Sequence, residues 1–469
     1  MRGLIQQALG SGRESGILGP LPARPLMGQA ASARCGDTLN TMENMIACHD
    51  CDLLLTRPEV PPGSVAQCPR CGSTLIARSV NSIERSLALA IAGLILFLPA
   101  NLYPLLTLEA VGIRQSQTVF SSAMSLYDDG LWLVALLILL FVMLVPLVKL
   151  LLLLYVSASL HGRGLWRGTA LALRSYQHLD EWGMLEVYLL GVAVSVVKLI
   201  DVAAIQPGLG LYSLVALILV TLLSSTMLNR DLFWHLIGER LPHPVSGLAP
   251  ACAPDAAPIC CHDCSLLCPP AMEDTHCPRC HAKLHARTPN SLSWTWALLC
   301  SALFLLLPAN LLPIMTIRTL GRGEPSTIME GVIELTQHGL FWIALVVLVA
   351  SVIIPVGKLI GMLILLLSVQ LGWTTNLRQK MLMFRFVEWV GRWSMLDIFV
   401  VGILVALVQL GNLTHIIGNH GATAFAGVVI CTMLAAQKFD TRLIWDRHQA
   451  GSTGASSDPG DDLCEPPRS

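Results

Sequence analysis

Apolar and polar positions fall in long blocks along this chain, not at the short periods of a soluble protein. Uncharged stretches such as Leu131–Val148 and Leu340–Gly357 run for about 18 residues, close to the length a helix needs to cross a bilayer. The pattern predicts four spanning helices near 85–106, 130–158, 184–204 and 210–228. Four more are predicted near 294–316, 340–369, 394–412 and 422–438. Around Gly112 and Gly321 the pattern changes to alternation, as in Leu106-Thr107-Leu108-Glu109 and Met315-Thr316-Ile317-Arg318. A small β-hairpin on the outer face is expected at each place.

The two sets of helices are copies of one unit. Leu98-Pro99-Ala100-Asn101-Leu102, followed by Pro104, returns as Leu307-Pro308-Ala309-Asn310-Leu311, followed by Pro313. Gly130-Leu131 matches Gly339-Leu340, and Pro146 with Lys149 matches Pro355 with Lys358. Trp182, Met184, Leu185 and Glu186 match Trp393, Met395, Leu396 and Asp397, all at an offset of about 210 residues. The prolines remove backbone donors and end the first helix, and Asn101 and Asn310 are placed to satisfy the freed carbonyls.

Each unit opens with four cysteines. Cys48, Cys51, Cys68 and Cys71 follow C-x2-C-x16-C-x2-C, and Cys261, Cys264, Cys277 and Cys280 follow C-x2-C-x12-C-x2-C. Paired knuckles of this kind bring four thiolates to a tetrahedral site whose usual occupant is structural Zn²⁺. Iron and thiol–disulfide chemistry are the alternatives. Cys260, Cys268, His262, His276 and His281 crowd the second site and read as bystanders.

Composition agrees with a membrane protein: 54% hydrophobic, 13% charged and a mean hydropathy of +0.63. A net charge of −1 offers no pull on nucleic acid. No Walker loop, nucleophile elbow or HExxH helix is present, so no nucleotide site and no catalytic residues are expected and the chain reads as a non-enzyme. Basic residues gather between the second and third helices, at Arg163, Arg167 and Arg174, and again at Arg378, Lys380 and Arg385. The positive-inside rule then places both termini and both cysteine modules in the cytoplasm.

The fold expected is a mainly α integral membrane protein of two tandem units and eight spans, each unit a small β zinc ribbon followed by a four-helix module. The layout is a disordered tail over 1–44, a ribbon over 45–80, a membrane module over 81–240 and a linker over 241–258. A second ribbon follows over 259–288, then a second module over 289–447 and a disordered tail over 448–469. The first tail lacks the apolar core of a signal peptide, and a true start near Met42 or Met45 is the alternative reading.

Charges inside the spans are the candidate working groups, because each costs about 2.5–3.5 kcal/mol at mid-membrane unless paired or wet. Lys149 and Glu186 lie on helices expected to be antiparallel neighbours and read as a pair, repeated by Lys358 and Asp397. A structural clamp and a proton- or substrate-linked site are both compatible with that. The halves differ at Lys198 and Asp201, which align with Gln409 and Asn412. The second unit has the richer polar set: Ser326, Thr327, Lys358, Glu388, Arg392, Ser394 and Asp397, with Glu388 and Arg392 expected to pair at i, i+4.

Over about residues 45–447 the chain resembles the paraquat-inducible protein A family. The likeness is carried by Leu307-Pro308-Ala309-Asn310-Leu311-Leu312-Pro313-Ile314-Met315, Pro325-Ser326-Thr327-Ile328 and Val387-Glu388. It continues through Gly391-Arg392-Trp393-Ser394-Met395 and Asp397, and closes with Phe439-Asp440 and Trp445-Asp446. The resemblance implies a bacterial inner-membrane protein with tetraspanin-like modules. It also implies partnership with a periplasmic MCE-domain protein, whose rings form a lipid tunnel between the two membranes. On that footing the expected role is passing membrane lipids to or from the tunnel without ATP. A scaffold for the tunnel protein, or a thiol or iron redox protein, are the other readings.

Overall fold

The computed structural model describes residues 45–446, apart from 59, 62, 78–80, 111–112, 163, 200–203, 242–257, 320–321, 338, 340, 374 and 408–413. Both expected tails, nearly all of the expected linker, Asp201, Gln409 and Asn412 lie outside the described residues.

The first ribbon is two antiparallel hairpins, β1 (Met45–Ala47) with β2 (Leu54–Thr56) and β3 (Val65–Gln67) with β4 (Thr74–Ala77). The first membrane module begins with α1 (Ser82–Leu102). A hairpin of β5 (Leu106–Ala110) and β6 (Ile113–Gln117) and the short α2 (Val119–Asp128) follow. Next comes the long α3 (Trp132–His161). Then come α4 (Thr169–Glu181), α5 (Leu185–Leu199), β7 (Ala204–Pro207), α6 (Leu209–Met227) and α7 (Arg230–Arg240).

The second unit repeats this order. Its ribbon pairs β8 (Ile259–Cys260) with β9 (Leu267–Cys268). Its module contains α8 (Ser291–Leu311), β10 (Met315–Thr319), β11 (Arg322–Ser326) and α9 (Ile328–Gln337). Helix α10 runs through Phe341–Leu348, a π segment Val349–Ile353, and Ile354–Leu371. The unit closes with α11 (Leu377–Trp393), α12 (Leu396–Leu407), β12 (Thr414–Gly418) and α13 (His420–Lys438).

Among the described residues seven helices are long and apolar enough to cross a membrane, so the chain is a multi-pass membrane protein. The third helix of unit one, α5, is described for 15 residues only. The first helices end at 102 and 311, short of the expected 106 and 316. Pro104 and Pro313 turn the chain into β5 and β10, whose residues the hydropathy signal had absorbed.

Both hairpins form, with a third strand that sequence periodicity did not reveal. β7 pairs with β5 and β12 with β10, giving three-stranded sheets in the orders β6-β5-β7 and β11-β10-β12. The third strand leads into the last span at Gly210 and Gly421. A Cβ on Gly210 would stand 2.4 Å from the Tyr103 carbonyl oxygen, and one on Gly421 2.6 Å from that of Pro313, so neither position admits a side chain.

Each module closes first helix against last. The Ser82 hydroxyl donates to the Met227 carbonyl at 2.7 Å and accepts from the Asn229 N–H at 3.0 Å. Ser291 does the same with Lys438 and the Asp440 N–H, at 2.6 and 2.9 Å. The Asn101 and Asn310 amides each donate 2.9 Å back to the carbonyls of Phe97 and Leu306, four residues earlier, and not to those of Ile95 and Phe304 that Pro99 and Pro308 leave without an amide, so they do not play the role expected of them. Helix α3 carries a π segment, Leu139–Leu144, just before Pro146, and α10 carries its own before Pro355. A proline ring crowds the carbonyl four residues back, and widening the turn relieves it.

The two modules meet through their third helices. The Tyr188 ring stands edge-on to Phe399 at 5.6 Å, and the Gln117 side chain donates to the Ala406 carbonyl at 3.0 Å. One apolar core runs through both modules.

Candidate metal centres and buried charges

All four cysteine knuckles are built alike. The amides of Asp52, Gly72, Ser265 and His281, each just after the second cysteine of a pair, donate at 2.8–2.9 Å to the carbonyl of the first. All four residues have positive φ, between 54° and 73°. The turn aims both sulfurs of each pair inward.

The eight sulfurs form two buried clusters, each with all four Sγ atoms within 4.8 Å of one another. Cys48–Cys71 and Cys51–Cys68 are 3.5 and 3.7 Å apart, and Cys261–Cys280 and Cys264–Cys277 are 3.5 and 3.6 Å apart. Four thiolates about 2.3 Å from one tetrahedral ion would be about 3.8 Å from each other. The donor set and its spacing therefore fit a metal ion. Neither cluster includes Cys260, Cys268, His262, His276 or His281. The clusters differ in what surrounds the sulfur: the Ser73 hydroxyl lies 3.0 Å from Cys48 and 3.1 Å from Cys71, where the second ribbon has Ala282.

The ribbons dock crosswise. The first packs on the second module, in a core of Cys48, Cys51, Cys68 and Cys71 with Met381, Phe384 and Trp445. The second packs on the first module, its cysteines against Leu173, Tyr176, Phe233 and Trp234. Asp50 accepts from Arg385 at 2.7 Å, and Asp263 pairs with Arg174 at 2.6 Å. Arg70 lies 4.3 Å over the Trp445 ring, and Arg279 lies 5.8 Å over that of Trp234. Burial works against the Asp263 charge, yet His262, Arg174 and His178 together hold its carboxyl below the usual range. Arg287 ties the two halves of this region, bonding Asp446 at 2.5 and 2.9 Å and also Asp52.

Lys149 pairs with Asp180 at 2.5 Å, not with Glu186, and Arg230 holds the other Asp180 oxygen at 3.0 Å. Asp180 lies near the end of the helix between the second and third spans, within reach of the lysine, whereas Glu186 stands in the first turn of the next helix. In unit two the position equivalent to Asp180 is Gly391, where a Cβ would stand 3.3 Å from Lys358 Nζ. Lys358 is 2% exposed and donates to Thr432 Oγ1 at 3.0 Å, not to Asp397. Among the described residues no carboxylate lies within ion-pair distance of it.

Glu388 and Arg392 do not form the expected ion pair. Both line a small cavity of about 50 Å³ with Lys358, Val387, Gly391 and, from the other unit, Glu181. Ser394 is buried at the break between α11 and α12, and Asp397 sits in the first turn of α12, where the helix dipole favours its charge. Ser326 and Thr327 belong elsewhere: Thr327 caps α9, its N–H bonded to Glu330 at 2.8 Å and its hydroxyl accepting from the Glu330 N–H. The spacing Thr327-x-x-Glu330 is the capping-box signal that would have separated it from the polar set. Lys198 lies on α5. The residues that sequence reasoning missed are Asp180, Arg230 and Thr432.

The paraquat-inducible protein A family model matches residues 83–238 and 292–449, one match per unit. The chain is 36% identical over 409 residues to the intermembrane transport protein PqiA of Escherichia coli strain K12, covering 86% of this chain and 95% of that one. It is 34% identical over 405 residues to the lipophilic envelope-spanning tunnel protein A of the same strain, covering 86% and 92%. To a probable intermembrane transport protein of Haemophilus influenzae it is 30% identical over 410 residues, covering 86% and 95%. No solved structure matches.

Proposed function

The chain belongs to the paraquat-inducible protein A family, and we propose from this that it is the inner-membrane component of an envelope-spanning lipid transport system. In this reading it passes lipids to or from a periplasmic MCE-domain tunnel without ATP hydrolysis. Its relatives' names, intermembrane transport and envelope-spanning tunnel, support the lipid role. Eight spans, tetraspanin-like modules and cytoplasmic ribbons and termini complete the proposal, the last on the charge asymmetry of the loops. Zn²⁺ is the proposed occupant of both clusters, and it supplies only a fixed tetrahedral node that folds each ribbon.

The single observation that carries a mechanism is the difference between the two lysines. Lys149 is held by a carboxylate that a second cation also holds, and it works as a clamp. Lys358 is the more deeply buried of the two and has a hydroxyl for a partner. A cation so placed is costly, and a conformation that brings a carboxylate or water to it offsets the cost. Gain or loss of a proton by the Lys358, Glu388 and Asp397 set then biases two conformations of the second module. The first module is the static half.

The test is envelope barrier function in cells whose own copy is replaced by Lys358→Met or Asp397→Asn. Both variants are expected to lose the barrier at normal protein level. A normal barrier in both would refute the mechanism and leave a scaffold that anchors the tunnel protein.

A further inference from the structure

The crossed docking of the ribbons does more than fill space. Helices α4 and α11 join the second span to the third, and each carries two sets of charges. Midway along each an arginine, Arg174 or Arg385, is bound to the ribbon of the other unit. One to two turns further on lie the charges that meet the membrane helices: Asp180 on α4, which binds Lys149, and Glu388 and Arg392 on α11, which line the cavity beside Lys358. Arg385 also reaches the metal site itself, its Nη2 atom 3.8 Å from Cys71 Sγ.

We infer that each metal ribbon is a clamp that positions this helix in the opposite unit, with Arg385 and Arg174 as the positioning residues. A ribbon whose strands are two to four residues long has too little core to hold a shape alone, so its metal site fixes the carboxylate that the arginine reads. The stacked pairs Arg70–Trp445 and Arg279–Trp234 give each clamp a second point of attachment, after the last span of the same opposite unit. Each ribbon is joined in sequence to one module and seated on the other. The two modules are thereby tied across, and loss of metal from one ribbon is felt in the unit that follows the other. The clamp does not depend on what the chain transports.

Hydrogen exchange of the full chain in lipid nanodiscs tests this. With Cys48→Ser and Cys51→Ser together, peptides over 377–393 should exchange about tenfold faster while those over 169–181 stay protected. Cys261→Ser with Cys264→Ser should give the mirror result. Loosening confined to the module that follows the altered ribbon, or none at all, would overturn the clamp. Should the cysteine variants fail to accumulate, Arg385→Gln keeps all eight sulfurs. After cobalt loading it should shift the sulfur-to-cobalt absorption band, as Arg174→Gln does not, and loosen 377–393. An unchanged band together with unchanged exchange in Arg385→Gln would equally overturn it.

Discussion

Lys149 Nζ lies 2.5 Å from Asp180 Oδ1, and the equivalent of Asp180 in the second unit is Gly391. The carboxylate of one unit thus stands where the other has a glycine, and the second cation that holds it, Arg230, is matched by Thr441. Asp180→Asn removes the carboxylate charge that Lys149 and Arg230 share, at a site where the Lys149 and Asp180 side chains are only about one-eighth exposed. A stability loss of about 3 kcal/mol is expected, read as a lower thermal midpoint of the purified chain. An unchanged midpoint would mean the triad is not a clamp.

The reverse change makes unit two resemble unit one. Gly391→Asp would put a carboxylate beside Lys358, whose Nζ stands 3.3 Å from the Cβ position. The expected result is a chain as stable as the parent or more so that has lost barrier function. A variant that kept full function would show that the missing carboxylate is not what sets the second unit apart.

Lys358→Met separates stability from function. Replacing a buried charge by an apolar side chain of similar length is often neutral or stabilising, so the thermal midpoint should hold or rise. Lys149→Met leaves Asp180 bound to Arg230 and should retain the barrier. The opposite ranking of the two variants would move the working site to the first unit.

The metal sites should respond independently. Elemental analysis of the parent should give two zinc ions per chain, and Cys68→Ser or Cys277→Ser should remove about one each, with faster proteolysis of that ribbon. Iron in place of zinc would return the redox reading to consideration.

Asp440 gives a pH-dependent contact outside the spans. Its carboxyl accepts from the Thr288 N–H at 3.0 Å and from the Arg442 N–H at 3.1 Å, with Arg442 Nε 3.3 Å away. Burial opposes the charge, but Arg442 and these amides win and hold its pKa below the ordinary value. Stability from such a depressed carboxylate is fully present above the unfolded pKa of about 3.9, and it is lost as pH falls through the folded value. Asp440→Asn should cost about 1–3 kcal/mol at pH 7, and its gap from the parent should close in acid below about pH 4. A gap that stays constant would place the contribution in shape and not in charge.

How far the sequence could be read follows from how local each feature is. The two cysteine clusters were legible because each knuckle is four residues and its spacing carries the geometry. The spans were legible because hydropathy sums over many residues. Strands β7 and β12 were not, being four or five residues that pair with a hairpin about 100 residues earlier. Asp180 escaped because it lies beyond the predicted span and its repeat partner is a glycine. The crossed docking escaped because either ribbon could sit on either module. Its signal was nonetheless there: Arg174 and Trp234 recur as Arg385 and Trp445 at one common offset.

Mass spectrometry of the intact chain, released from detergent micelles after purification from the membrane, tests the central claim most directly. Two zinc ions and a retained phospholipid are expected on the parent, and the lipid should be lost in Lys358→Met while both metals stay. A parent chain that carries no lipid, or a Lys358→Met variant that keeps as much as the parent, would contradict a lipid carrier working through its second module.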